Sequence, residues 1–108
     1  MSSPSPFACD MMALSPEQRS RHQELVAFLQ TSLSAIQEIS NGYDFEFPFE
    51  PAIYDALIQI TPLEHACCPF FAIGIRLNSA NRLFWQLTGD HGIKQFVELE
   101  FPAWFKRQ

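Results

Sequence analysis

Eight prolines punctuate this 108-residue chain, and where they fall restricts what each stretch between them can become. A proline has a fixed φ and no N–H to donate. It is therefore accepted in the first turn of a helix, at a strand end or in a turn, and it disturbs a helix interior. Pro16 follows Ser15 and precedes Gln18, which together make an N-cap, a first helical residue and the closing residue of a capping box. The spacing of Leu25, Phe28, Leu29, Ile36 and Ile39 then predicts an amphipathic helix over 16–40, with Asn41 and Gly42 as its stop. Pro48 closes a run in which Tyr43, Phe45 and Phe47 alternate with Asp44 and Glu46, the period of a short half-buried strand. Pro51 opens a second helical pattern through Ile53, Leu57, Ile60, Cys67 and Phe71. Pro62 interrupts it and predicts a kink near Thr61.

Further along, 72–78 and 83–88 read as strands joined by the polar turn Asn78 to Asn81, an antiparallel hairpin with the first strand as its partner. A turn containing Gly89, Asp90 and Gly92 leads to a last helix through Ile93, Phe96, Val97 and Leu99 that stops near Pro102. The predicted fold is α+β: a three-stranded, mainly antiparallel sheet packed by helices, in the order αβαββα. Residues 1–14 carry Pro4 and Pro6 and no periodicity, which makes them an N-terminal arm, and 15–108 form a single α+β domain.

An apolar fraction of 47%, with 14% aromatic residues, is ample for one core and excludes disorder over most of the chain. The formal charge is −5, and the basic residues Arg19, Arg21, Arg76, Arg82, Lys94, Lys106 and Arg107 are scattered. That pattern offers no track for a phosphate backbone, so no nucleic-acid partner is expected. No run of eighteen apolar residues occurs, so no membrane span is expected, and the first ten residues lack the basic start and apolar run of an export signal. The expectation is a soluble cytoplasmic protein. Its three cysteines, Cys9, Cys67 and Cys68, are an odd number with an adjacent pair, unlike a secreted disulfide scaffold, and are expected to be reduced in the cell.

At about 100° per residue, Leu57, Ile60, Glu64, Cys67, Cys68 and Phe71 fall on one side of the second helix, with Glu64 near the centre of the stripe. A carboxylate in an apolar stripe must find a hydrogen-bond donor, a cation or a proton. One solution is structural: Glu64 closes a capping box with Thr61 at the break made by Pro62. The other uses the spacing ExxCC, because residues three and four apart share a helix face and Glu64 can sit beside both thiols.

Adjacent cysteines on a regular helix diverge, which argues against a bridge between Cys67 and Cys68. Both are poor nucleophiles beside a carboxylate, with only His65 to offset it. A soft or borderline metal ion reverses this, because it stabilises thiolates and accepts the carboxylate as a ligand. Cys9 can supply a third sulfur from the arm. Three thiolates with an oxygen donor suit Zn(II), and two or three thiolates alone suit Cu(I) or Hg(II). The plain alternative is that the cysteines only pack in the core, where free cysteine is common, and that Pro69 simply ends the helix.

Other polar groups read as structural. His22 lies at the edge of the first helix's apolar face and is expected to pack and bond locally, and His91 sits in a Gly-flanked turn exposed to solvent. The segment LTGDHG resembles a Gly-rich turn before a helix that could hold an anion, without the glycine or lysine pattern of a phosphate loop. Phe70, Phe71, Phe84, Trp85 and Phe96 are read as core rather than as a pocket lining.

Several segments together, ACDMMALSPEQR (8–19), GYDFEFP (42–48), LEHACCPFF (63–71) and LTGDHGIKQF (87–96), resemble a family of small bacterial proteins marked by an ExxCCPF motif followed by LTGxxGxKxF. The resemblance spans nearly the whole chain. It implies that Cys9 belongs with Glu64, Cys67 and Cys68 as a recurring set and that the αβαββα order is shared, and it implies no particular reaction.

The leading expectation is a small thiol protein that binds a thiophilic metal ion (Zn, Cu or Hg), or responds to thiol reagents, through Glu64, Cys67, Cys68 and Cys9. The alternative is a non-catalytic homodimeric interaction module with structural cysteines, meeting its partner through an exposed aromatic end at Trp104 and Phe105. A third is a thiol redox enzyme acting through Cys68 with His65 as base.

Overall fold

A computed structural model describes residues 9–106. The capping box is made as expected: Ser15 Oγ accepts from the Gln18 N–H at 3.1 Å and Gln18 Oε1 accepts from the Ser15 N–H at 2.8 Å. Helix α1 starts there and spans Pro16–Ser32. It ends eight residues short of the predicted stop at 40. Thr31 Oγ1 and Ser32 Oγ both donate back to the Phe28 carbonyl, side-chain bonds that compete with helix continuation.

The chain then forms β1 (Ala35–Ile39), which the helical reading of Ile36 and Ile39 concealed, and returns through a two-residue turn into β2 (Gly42–Pro48). Asn41 and Gly42 are thus a hairpin signal rather than a helix stop. Gly42 is required by close approach, because a Cβ there would collide with the Leu87 carbonyl of the neighbouring strand.

Helix α2 (Pro51–Cys67) runs unbroken through Pro62. The missing N–H is tolerated because Pro62 lies on the solvent side, and the Thr61 hydroxyl donates to the Leu57 carbonyl at 2.7 Å while accepting from Trp85 Nε1 at 3.1 Å. Strands β3 (Ala72–Leu77) and β4 (Arg82–Thr88) form the expected hairpin. Helix α3 (Ile93–Glu100) stops before Pro102, which starts a further short helix, α4 (Pro102–Lys106).

The fold is α+β, but among the described residues the sheet has four antiparallel strands in the order β1-β2-β4-β3 rather than three. The added strand β1 and the added helix α4 change the element order from αβαββα to α1-β1-β2-α2-β3-β4-α3-α4. Tyr43, Phe45 and Phe47 on β2 and Leu83, Trp85 and Leu87 on β4 alternate into the core, with Leu25, Leu29, Leu57 and Ile60 from the helices. The other face of the sheet is polar: Gln86 donates to Asp44, Arg82 pairs with Glu46, and the Arg76 guanidinium lies 4.2 Å from the centre of the Phe84 ring.

Trp104 is not an exposed aromatic end. Its side chain is 1% accessible and meets Phe45 and Phe101 at ring separations of 5.0 and 4.7 Å, while Phe105 is half-buried against Tyr43 and Phe45. Trp104 therefore cannot contribute to an exposed partner surface. Among the described residues no helix is long and apolar enough to cross a membrane.

Candidate functional site

Three pieces of the chain meet at the C-terminal end of α2. The first is α2 itself, whose inward positions Ile53, Leu57, Ile60, Glu64 and Cys67 follow the helical period and are all buried. Pro69 then prevents a further helical turn, and Cys68 leaves the helix at φ −132° and ψ 70° with its N–H donating to the Glu64 carbonyl at 2.8 Å. This departure from helical geometry brings Cys68 Sγ to 3.6 Å from Cys67 Sγ, where a regular helix would have splayed them. The two are in contact and unbonded.

The second piece is the segment before α1. Asp10 caps a single 3-10 turn, Met11–Ala13, through its side chain, and its backbone N–H donates to the Cys67 carbonyl at 2.8 Å. Leu14 is buried in the core, and Arg19 donates to the Met11 and Leu14 carbonyls at 3.3 and 2.8 Å. These contacts lay Cys9 against Cys68, Cα to Cα 4.8 Å apart, and the two are joined by a disulfide that closes 59 residues of sequence. With this bridge closed, Cys67 is the one free thiol of the three cysteines. Nothing in the spacing of the cysteines required a bridge, because the approach of Cys9 depends on the tertiary anchoring of Asp10 and Leu14.

The third piece is His22 of α1, for which the sequence predicts only local packing. It is 5% exposed and shares the inner face with Leu25 and Leu29. Its Nε2 lies 2.6 Å from Glu64 Oε2, both groups inside the protein. The signal was present in the run 22, 25, 29, 33, which places His22 within the apolar face rather than at its edge. Beyond His22 a surface groove is lined by Val26, Gln30, Glu100 and Phe101.

The structural role suggested for Glu64 is not the one it plays. Thr61 bonds its own helix and Trp85, so no capping box forms, and the carboxylate is fully buried with Oε2 on His22 and Oε1 without a hydrogen-bond partner among the described residues. An acceptor buried in that way costs about 1–3 kcal/mol relative to a satisfied one. Burial, then the charges of Glu64 and Glu100, push the Cys67 thiol up to about 12, so it is held protonated, with its Sγ donating to the Glu64 carbonyl at 3.6 Å. Glu100 is likewise pushed up, by burial first and then by Glu64, against an opposing pull from His22.

One ligand atom each from Cys9, Glu64, Cys67 and Cys68 falls within 4.8 Å of all the others. With Zn–S bonds of about 2.3 Å, donors around a tetrahedral zinc stand about 3.8 Å apart. Closing the set on an ion once the bridge is open would require the Cys9 and Cys68 sulfurs to separate from a bond length of about 2 Å to about 3.8 Å, with shifts of about 1 Å or less for the more distant donors.

The remaining candidates resolve as structure. His65 is exposed, and no hydrogen bond joins it to Cys68. His91 is exposed as expected. Gly92, at φ 95°, turns the chain into α3 with no side-chain cap, and Lys94 pairs with Glu38 at 3.6 Å. Phe70, Phe71 and Phe96 stack on one another at ring separations of 5.0 to 5.7 Å. Trp85 is in the core, while Phe84 lies on the polar face beneath Arg76. No family profile, curated protein or solved structure matches the chain.

Proposed function

We propose that this protein, when reduced, binds a thiophilic metal ion through Cys9, Cys67, Cys68 and Glu64. The observation that carries the reading is Glu64 Oε1: a carboxylate oxygen buried without a partner, in a cluster whose other three ligand atoms are sulfurs. A cation removes the penalty on that oxygen and stabilises the thiolates together. Three sulfurs and one oxygen favour Zn(II), and the sulfurs without the carboxylate favour Cu(I) or Hg(II). His22, holding the other carboxylate oxygen, fixes the direction in which Glu64 offers its free one.

The resemblance to proteins with the ExxCCPF motif supports grouping the same four residues. A reducing compartment such as the cytoplasm favours the open, metal-competent form.

Native mass spectrometry of the reduced protein with Zn(II), Cu(I) and Hg(II) tests the reading. One ion per chain is expected, lost or markedly weakened in Cys67→Ser and Cys68→Ser. Unchanged retention in both variants rejects it.

A further inference from the structure

We infer that low-molecular-weight thiols and disulfides are the second reactant at this site, that they exchange with the protein through Cys9 Sγ, and that closing the Cys9–Cys68 bridge expels the cation. This rests on the metal reading above and adds a reaction to it.

The bridge and the ion compete for the same two sulfurs. Once Cys9 and Cys68 are bonded to each other, only Cys67 Sγ and Glu64 remain of the four donors, too few for a closed tetrahedral site. Exchange also depends on which sulfur a small thiol can reach. Cys67 and Cys68 are completely buried, whereas Cys9 is only partly buried. Exchange therefore begins at Cys9, and Cys68 is the leaving sulfur.

The segment carrying Cys9 is held by contacts besides the bridge. The Asp10 N–H bond to the Cys67 carbonyl, the buried Leu14 and the Arg19 contacts involve neither sulfur, so reduction of the bridge removes none of them directly. Reclosure is thus intramolecular, with the advantage in effective concentration that this brings.

In the reducing direction, a small thiolate attacks Cys9 Sγ. A sulfur–sulfur bond forms to Cys9 as the Cys9–Cys68 bond breaks, and its electron pair leaves on Cys68 Sγ. A second small thiolate attacks the outer sulfur of the mixed disulfide, releasing the small disulfide and the Cys9 thiolate. Two electrons have passed to the protein, which gains two thiolates for the metal.

In the oxidising direction, Cys9 attacks a small disulfide and releases one thiolate. Cys68 then attacks Cys9 Sγ and releases the second. The leaving thiolates take their protons from water, and the ion departs with two of its donors gone.

The test uses the whole chain, reduced and loaded with zinc, and titrated with oxidised glutathione. Zinc release is followed with a chromophoric chelator and the sulfurs are mapped by peptide mass spectrometry. One zinc released per Cys9–Cys68 bridge formed is expected. In Cys68→Ser, which lacks the closing sulfur, a glutathione adduct should accumulate on Cys9 and not on Cys67. An adduct that settles on Cys67 overturns the inference alone, whereas zinc that stays bound while the bridge forms removes Cys9 and Cys68 as ligands and overturns the inference together with the four-ligand reading. A reduced wild-type chain that retains no ion removes the metal reading and the inference together.

Discussion

His22 Nε2 and Glu64 Oε2 lie 2.6 Å apart inside the protein, joining α1 to the last turns of α2 across 42 residues of sequence. The contact makes α1 more than a cover for the core, because it sets the orientation of Glu64 at the sulfur cluster. Replacing His22 by Leu leaves both carboxylate oxygens without a donor. We expect zinc affinity to fall about 10–100-fold, as for other groups that orient a metal ligand, alongside a measurable loss of stability. Chelator competition and urea titration on one preparation measure both, and an affinity equal to that of the wild type contradicts the assignment.

The Cys67 thiol gives a prediction in pH. Burial raises it from an ordinary 9.0 to about 12, so between those values the unfolded chain has lost a proton that the folded chain keeps. The folded state then binds more protons, and stability falls as pH rises from about 9 towards 12. Tyr43, pushed up from 10.0 to about 12 mainly by burial, adds to the loss over the upper part of that window. Urea midpoints of the bridged protein from pH 8 to 11 should decline steadily. In Cys67→Ala the decline below pH 10 should be shallower, and an identical slope in the two proteins argues against a buried, protonated Cys67.

Opening the bridge removes a covalent closure of 59 residues, worth about 4 kcal/mol in the chain-entropy account. The reduced protein should unfold at lower urea than the bridged one, and binding of zinc should restore part of the difference. Cys9→Ser should match the reduced wild type without metal and should not respond to reductant. A variant that still responds has a different sulfur in the bridge.

Gly42 tests the hairpin that the sequence concealed. A methyl group there meets the Leu87 carbonyl, so Gly42→Ala must displace β4 from β2. A cost of about 2 kcal/mol or more is expected from overpacking next to backbone. A midpoint within error of the wild type would show that the two strands can separate freely.

Legibility in the sequence followed range. Glu64, Cys67 and the inward face of α2 were readable because one helix fixes their phase, and the capping box at Ser15 was readable because its residues are three apart. Ile36 and Ile39 satisfy a helical spacing and a strand register equally, and only pairing with Phe45 and Gly42 decides between them. His22 was visible on the right face of α1, but its partner is on another helix. The bridge to Cys9 and the burial of Trp104 depend on contacts that span the fold, which local periodicity does not encode.

The most direct measurement is X-ray absorption at the zinc edge of the reduced, zinc-loaded protein. Three sulfurs at about 2.3 Å and one lighter donor at about 2.0–2.2 Å are expected. A shell of oxygen and nitrogen without sulfur would contradict the account.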